Sequence, residues 1–153
     1  MLISPIQFLL IMLLATGLAG ATQWIARLRQ IRRLRRLAAE RKMHFSPADR
    51  FRLAPRIAPL LPVPGAAAVR VVDLIYGIEQ ETYRYVFATE YTIGVLRTKT
   101  SVRRVATYCE PRIPGGAEPT CNLVFAPESL SFFEQYEHLL QRHEAVKSSS
   151  PSS

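Results

Sequence analysis

The first 26 residues, MLISPIQFLLIMLLATGLAGATQWIA, contain no Asp, Glu, Lys or Arg. As a helix rising 1.5 Å per residue this run reaches about 39 Å, more than the roughly 30 Å hydrocarbon core of a bilayer. It is not ordinary globular sequence, and it predicts a transmembrane anchor over residues 1–26. Pro5 stands near the start, where a helix tolerates it, Ile6 to Leu14 supply the dense apolar run, and Trp24 falls where an interfacial aromatic belongs. Gly17 and Gly20 are small enough to let a second helix approach, although Gly is common in membrane helices anyway. The rival reading is a secretory signal cleaved at AGA, residues 19–21. Against it, no positive charge precedes the apolar core, and an Arg cluster follows at once, as a retained anchor requires.

The chain carries a formal net charge of +8, which invites a nucleic-acid reading until the charge is located. Arg27, Arg29, Arg32, Arg33, Arg35, Arg36, Arg41 and Lys42 against the single acid Glu40 give residues 27–42 a charge of +7, and the remainder carries only +1. Positive residues beside a span stay on the cytoplasmic side, which predicts a single-pass membrane protein with its N-terminus outside and residues 27–153 in the cytoplasm. Arg27, Arg29, Arg32, Arg33, Arg35 and Arg36 are the candidate contacts with anionic headgroups, each contributing on the order of 1 kcal/mol near the surface. The collar's apolar residues, at 25, 28, 31, 34 and 37, step by three and drift by about 60° each time around a helix of 3.6 residues per turn. They predict a basic helix over 27–44 with Leu and Ile partly embedded and Arg stems snorkelling to headgroups. The collar has no Phe, Tyr or Trp after Trp24 with which to stack bases, so no nucleic-acid partner is expected.

After the collar, Ser46, Pro47 and Asp49 in HFSPAD read as a helix start and predict one helical turn around 47–52, with Phe45 and Phe51 packing. Four prolines between 55 and 64 predict an extended linker or a loop over the body, completing a capped turn and linker over 45–65. Pro59 and Pro62 make a formal PxxP of the kind Pro-rich linkers produce by chance. A basic helix followed by FSPADRFRL, YRYVFATEYTIG and NLVFAPES resembles a family of small bacterial proteins with one N-terminal membrane span and a compact cytoplasmic domain. Relatives often read Phe-Asp-Tyr-x-Tyr at the second motif, whereas Ala88, Thr89, Glu90 and Tyr91 stand here and the Asp is missing. The resemblance implies the architecture and a bacterial inner membrane as its setting, with no established activity and no site residue to transfer.

The body, residues 66–146, predicts an α+β domain: a small antiparallel sheet of about four strands covered by a C-terminal helix. VRVVDLIY at 69–76 is a strand ending in a turn at Gly77. In TYRYVFATEYTI, Tyr83, Tyr85, Phe87 and Tyr91 share one parity, predicting a half-buried strand with an aromatic face. That face serves the core better than a base-stacking platform. SVRRVATYC and CNLVFA are the third and fourth strands. Ser131 with Glu134 forms a capping box for a helix that places Phe132, Phe133, Tyr136, Leu139 and Leu140 on one side. Residues 147–153 have no apolar group to bury and predict a disordered tail.

No catalytic, cofactor-binding or metal site is assigned. Cys109 and Cys121 bracket a turn-rich loop, and in the cytoplasm they should be reduced; whether they pair stays open. His138 and His143 have finger-like spacing, but the cysteines stand 12 positions apart instead of forming the close pair a zinc finger needs, so solvent-facing histidines are the better reading. Glu79, Glu81 and Glu90 are ordinary carboxylates for exposed hairpins, and neither Gly-x-Ser-x-Gly nor His-Glu-x-x-His nor a phosphate loop is present. The expected function is a binding or scaffolding module at an anionic lipid surface, with a protein partner or a second copy as further candidates. A membrane-tethered enzyme with an unrecognised pocket is the alternative, with nucleic-acid binding through the basic collar ranked behind it.

Overall fold

The charge-free run forms a helix that does not stop at the collar. In the computed structural model, which describes residues 4–79, 81–94, 99–112 and 123–148, helix α1 spans Pro5–Glu40. Its most apolar window of 18 residues has a mean hydropathy of 1.8 and none of that window is buried, so α1 is long and apolar enough to cross a membrane. The chain divides into two compact units, Met1–Arg33 and Leu34–Ser153.

In the second unit the end of α1 is followed by β1 (His44–Ala48), α2 (Leu53–Ile57), a 3-10 turn (Ala58–Leu60), β2 (Ala67–Glu79), β3 (Thr82–Ile93), β4 (Thr100–Pro111), β5 (Val124–Phe125) and α3 (Phe132–Ser148). The strands form one antiparallel sheet in chain order, β1-β2-β3-β4-β5, so each connection joins neighbours. The α+β class predicted from the sequence is the one observed, with five strands rather than four.

Both faces of the sheet are covered. On one, Ile75, Val86 and Val105 pack beneath Leu34, Leu37 and Ala38 of α1 and Tyr136, Leu139 and Leu140 of α3. On the other, Val71, Leu74, Phe87 and Ala106 pack beneath Leu53 and Ile57 of α2. Strand β3 is therefore buried on both sides from Arg84 to Thr89, not half-buried, because the last turns of α1 join α3 over its non-aromatic parity. The same packing corrects the collar: Ile25 and Leu28 are exposed, but Leu34 and Leu37, expected among lipids, are 0% and 5% exposed in the protein core. A band stepping by three rotates along the helix, and its C-terminal end turns onto the sheet.

The segment 44–60 departs most from expectation. Residues 44–48 form the edge strand rather than the start of a helical turn, and Pro47 is tolerated because an edge leaves one side of the backbone unpaired. The helix begins later, at Leu53, and Asp49 still caps it: Oδ1 accepts from the Phe51 N–H at 3.2 Å and the Leu53 N–H at 2.9 Å, and Oδ2 from the Ala54 N–H at 3.0 Å. Of the stretch expected to be an extended linker or a loop, residues 53–60 are helical instead, since Pro55 and Pro59 fall in first turns, where their missing N–H groups have no partner to lose, while 61–66 remain irregular. Asp49→Ala removes the acceptor for three backbone donors and is expected to lower stability by about 1 kcal/mol, read as a fall in denaturant midpoint at unchanged m-value.

Gly77 makes no turn. It lies within β2, and the chain reverses after Glu79, with Glu81 left-handed at φ 61°. Strand β2 carries two bulges, each led by a left-handed residue: Ala68 (φ 52°) between the Ala67 and Arg70 pairs, and Asp73 (φ 54°) between the Val72 and Ile75 pairs. Helix α3 starts as predicted, the Ser131 N–H donating to Glu134 Oε2 at 2.8 Å. It continues to Ser148, so the helix includes two residues expected in the tail, and the remainder of that tail lies outside the described residues.

Candidate functional site

Helix α1 ends in a Schellman motif. The Met43 N–H donates to the Ala38 carbonyl at 2.8 Å and the Lys42 N–H to the Ala39 carbonyl at 3.0 Å, which satisfies two of the carbonyls a helix end leaves open. The motif needs a left-handed residue, usually Gly, and here it is Lys42 at φ 55°. A side chain in that conformation costs roughly 1–2 kcal/mol relative to the right-handed one. Met43 completes the motif by packing into the core cluster that contains Ala38. It fits because β2 presents Gly77 there: a Cβ on Gly77 would stand 3.1 Å from Met43 Cγ.

This turn forms one wall of a cavity of about 240 Å³, into which Arg41, Lys42, Glu79 and Arg84 converge between apolar walls of Met43, Ile78 and Leu140. Arg84 anchors it. Placed by β3 and only 4% exposed, its guanidinium donates through Nη1 to Glu79 Oε2 at 3.1 Å and through Nη2 to the Leu139 carbonyl of α3 at 2.6 Å. Its Nε–H is buried with no acceptor. A buried donor left unpaired typically costs about 1–3 kcal/mol, so the site concentrates two local penalties, one at Lys42 and one at Arg84. Three cations and one carboxylate among the described lining residues make the cavity chemically suited to an anion.

The opposite face of the sheet carries the aromatic set. His44, Tyr76, Tyr85 and Tyr108 stand in register across β1 to β4. Phe51 closes over the row, its centroid 4.8 Å from that of Tyr76 and 5.5 Å from that of Tyr85. At one end Glu110 accepts from Arg56 Nη2 at 2.6 Å and from the Tyr108 hydroxyl at 3.1 Å. Of the four aromatics expected on the core-facing parity of β3, Tyr85, Phe87 and Tyr91 are buried and Tyr83 is 37% exposed. Burial first, and then the Glu110 charge, raise the Tyr85 and Tyr108 pKa values above the ordinary 10.0. A raised folded-state pKa gives stability that is complete below the unfolded value and is lost as pH rises through the folded one. Stability is therefore expected to fall as pH rises beyond about 10, with tyrosinate absorption of the native protein lagging that of the unfolded chain. Glu110→Gln should move the native titration to lower pH.

The candidates named from the sequence are scattered rather than gathered. Arg29, Arg32, Arg33, Arg35 and Arg36 are exposed along α1, and Arg27 is half-buried. Glu79 lines the cavity, Glu81 is exposed at the hairpin, and Glu90 lies towards the other end of β3, within 3.3 Å of Arg103. Cys109 is buried on β4, and its prospective partner Cys121 lies outside the described residues. His138 is half-buried instead of solvent-facing, and the side chain of His143 is likewise outside the described residues. Among the described residues no three His, Cys, Asp or Glu side chains group to hold a metal. The cavity residues Lys42 and Arg84 were not singled out by sequence; a charged residue between Tyr83 and Tyr85, at the head of the apolar run Tyr85 to Ala88, was the signal. No protein-family model, no curated protein and no solved structure matches the chain.

Proposed function

We propose that this chain is a single-pass protein of a bacterial inner membrane, with its N-terminus outside and an α+β domain in the cytoplasm that binds a ligand or partner at the lipid surface. The observation that carries the reading is the pairing of two segments on α1. Every large apolar side chain from Ile6 to Leu18 is exposed, and an exposed apolar surface of that extent needs a nonaqueous partner. The arginine collar that follows favours cytoplasmic retention of everything after it, with the exposed Arg29, Arg32, Arg33, Arg35 and Arg36, and the half-buried Arg27 before them, as the proposed contacts to anionic headgroups. The domain's cavity favours binding over turnover: its described lining offers cations, one carboxylate engaged with Arg84 and apolar walls, with no Ser, Cys or His among them. A protein partner or a second copy fits the same module.

Protease treatment of spheroplasts tests the arrangement. The domain is expected to survive intact until the membrane is permeabilised, and digestion from outside would overturn the orientation. Replacing Arg27, Arg29, Arg32 and Arg33 with Asn is expected to produce a population of molecules cleaved from outside, since those charges hold the topology.

A further inference from the structure

We infer that the cavity between the end of α1, the β2–β3 hairpin and α3 is a binding site for a phosphate monoester dianion, presented either by a lipid headgroup or by a small free phosphate. This deepens the binding-module reading by naming a ligand class for its cavity. It does not depend on which side of the membrane the domain faces.

Three observations converge on it. The described lining carries the side chains of Arg41, Lys42 and Arg84 against the single carboxylate of Glu79, an excess of two positive charges that a dianion neutralises. Arg84 is more than nine-tenths buried in that lining, and its Nε–H has no acceptor while Nη1 and Nη2 are held by Glu79 and the Leu139 carbonyl. The guanidinium is thus fixed in orientation and holds its positive charge in the lining, where an oxyanion is the complementary ligand. Finally, Lys42 occupies the left-handed position of the Schellman turn, where Gly would serve the backbone better. The basic residues after a helix can be read simply as partners of its dipole. That role does not require the left-handed position, since Arg41 beside it also serves, so the conformational penalty at Lys42 is better explained by the ammonium it delivers to the cavity wall.

Size restricts the ligand further. At about 240 Å³ the cavity is smaller than the roughly 300–1,000 Å³ typical of drug-sized ligands, so a phosphate with a glycerol-sized substituent suits it and a nucleotide does not. Met43, Ile78 and Leu140 give such a substituent an apolar surface to lie on.

The test uses the full chain in phosphatidylcholine vesicles and measures glycerol phosphate binding by phosphorus NMR at near-physiological salt. Saturable binding is expected, and Lys42→Gly is expected to weaken it about tenfold, the loss of one charge-assisted contact, while raising the thermal midpoint because Gly relieves the turn. This variant keeps the experiment decisive even if Arg84→Met fails to fold. Arg36→Gln removes an equal charge from the exposed collar and is expected to change binding less than twofold, as a solvent-screened charge outside the cavity lining should. Vesicles containing phosphatidic acid separate the two sources: displacement of glycerol phosphate by phosphatidic acid, but not by phosphatidylglycerol, assigns the site to a lipid phosphomonoester, and persistence of glycerol phosphate binding assigns it to a free one. Absence of saturable binding, or equal losses in Lys42→Gly and Arg36→Gln, overturns the site. Neither result would move the protease-shaving outcome, so the site and the topology fail separately.

Discussion

A chain shortened to begin at Leu34 is expected to fold, and one shortened to begin at His44 is expected to remain unfolded. The ten residues at issue include two fully committed core side chains, Leu34 and Leu37, together with Ala38 and the packed Met43. Large-to-small changes at such Leu positions cost about 2–5 kcal/mol each, so their combined removal approaches the whole stability of a small domain, about 5–15 kcal/mol. Ile75, Val86 and Val105 would also lose a cover that α3 alone provides only in part. Circular dichroism and a thermal melt report the result: a cooperative transition for the longer chain, and none for the shorter. Leu34→Ala in the full chain gives the graded form, a loss of about 3 kcal/mol. A cooperative melt from the chain beginning at His44 would show that the end of α1 is dispensable.

The two halves of α1 were unequally legible for a physical reason. Length and the absence of charge are sufficient to mark the first half as long and apolar enough to cross a membrane, because a bilayer asks only for continuous apolar sequence. The collar is ambiguous because Leu and Ile spaced through arginines suit a lipid interface and a protein core equally; only the sheet beneath Leu34 and Leu37 decides between them. Helix α3 was readable because its start is written in local chemistry, the Ser131–Glu134 box, and its face in a period that needs no partner to be recognised.

Strand β2 shows what local pattern cannot deliver. Val69, Val71, Leu74 and Tyr76 all reach the same hydrophobic cluster, although the first two are odd-numbered and Leu74 is even. The bulge at Asp73 inserts one residue and flips the alternation, so no single period-2 template fits the strand. The segment 44–52 failed differently: Ser46, Pro47 and Asp49 carry a genuine helix-start signal, but pairing of β1 with β2 claims the first residues and postpones the helix to Leu53. Asp49 kept its role and changed its reach. The cavity was the least legible feature of all, since Lys42 and Arg84 are 42 positions apart in sequence and meet only when the end of α1 and strand β3 share α3 as a neighbour.

The second large effect is expected at that bulge. Asp73 is 0% exposed and accepts from Arg103 Nη2 at 2.9 Å, while its backbone carbonyl accepts the Tyr136 hydroxyl at 2.7 Å, tying β2, β4 and α3 together. Arg103→Met leaves a buried carboxylate without that partner. Breaking a fully buried pair costs about 3–5 kcal/mol, and because the Arg103 side chain is 38% exposed, the expected loss here is nearer 2–3 kcal/mol. Asp73→Gly should cost less than Asp73→Ala, since both remove the charge but only Gly accepts φ 54° freely, a difference of about 1 kcal/mol. In the Asp73→Gly background Arg103→Met should then cost under about 1 kcal/mol, what remains being its contacts with Glu90 and the Phe132 ring. Denaturant unfolding of the four proteins gives the coupling directly, expected at about 1–2 kcal/mol. Additive losses would mean that Arg103 stabilises the fold through Phe132 and Glu90 alone, and that the Asp73 carboxylate is satisfied by its other neighbours.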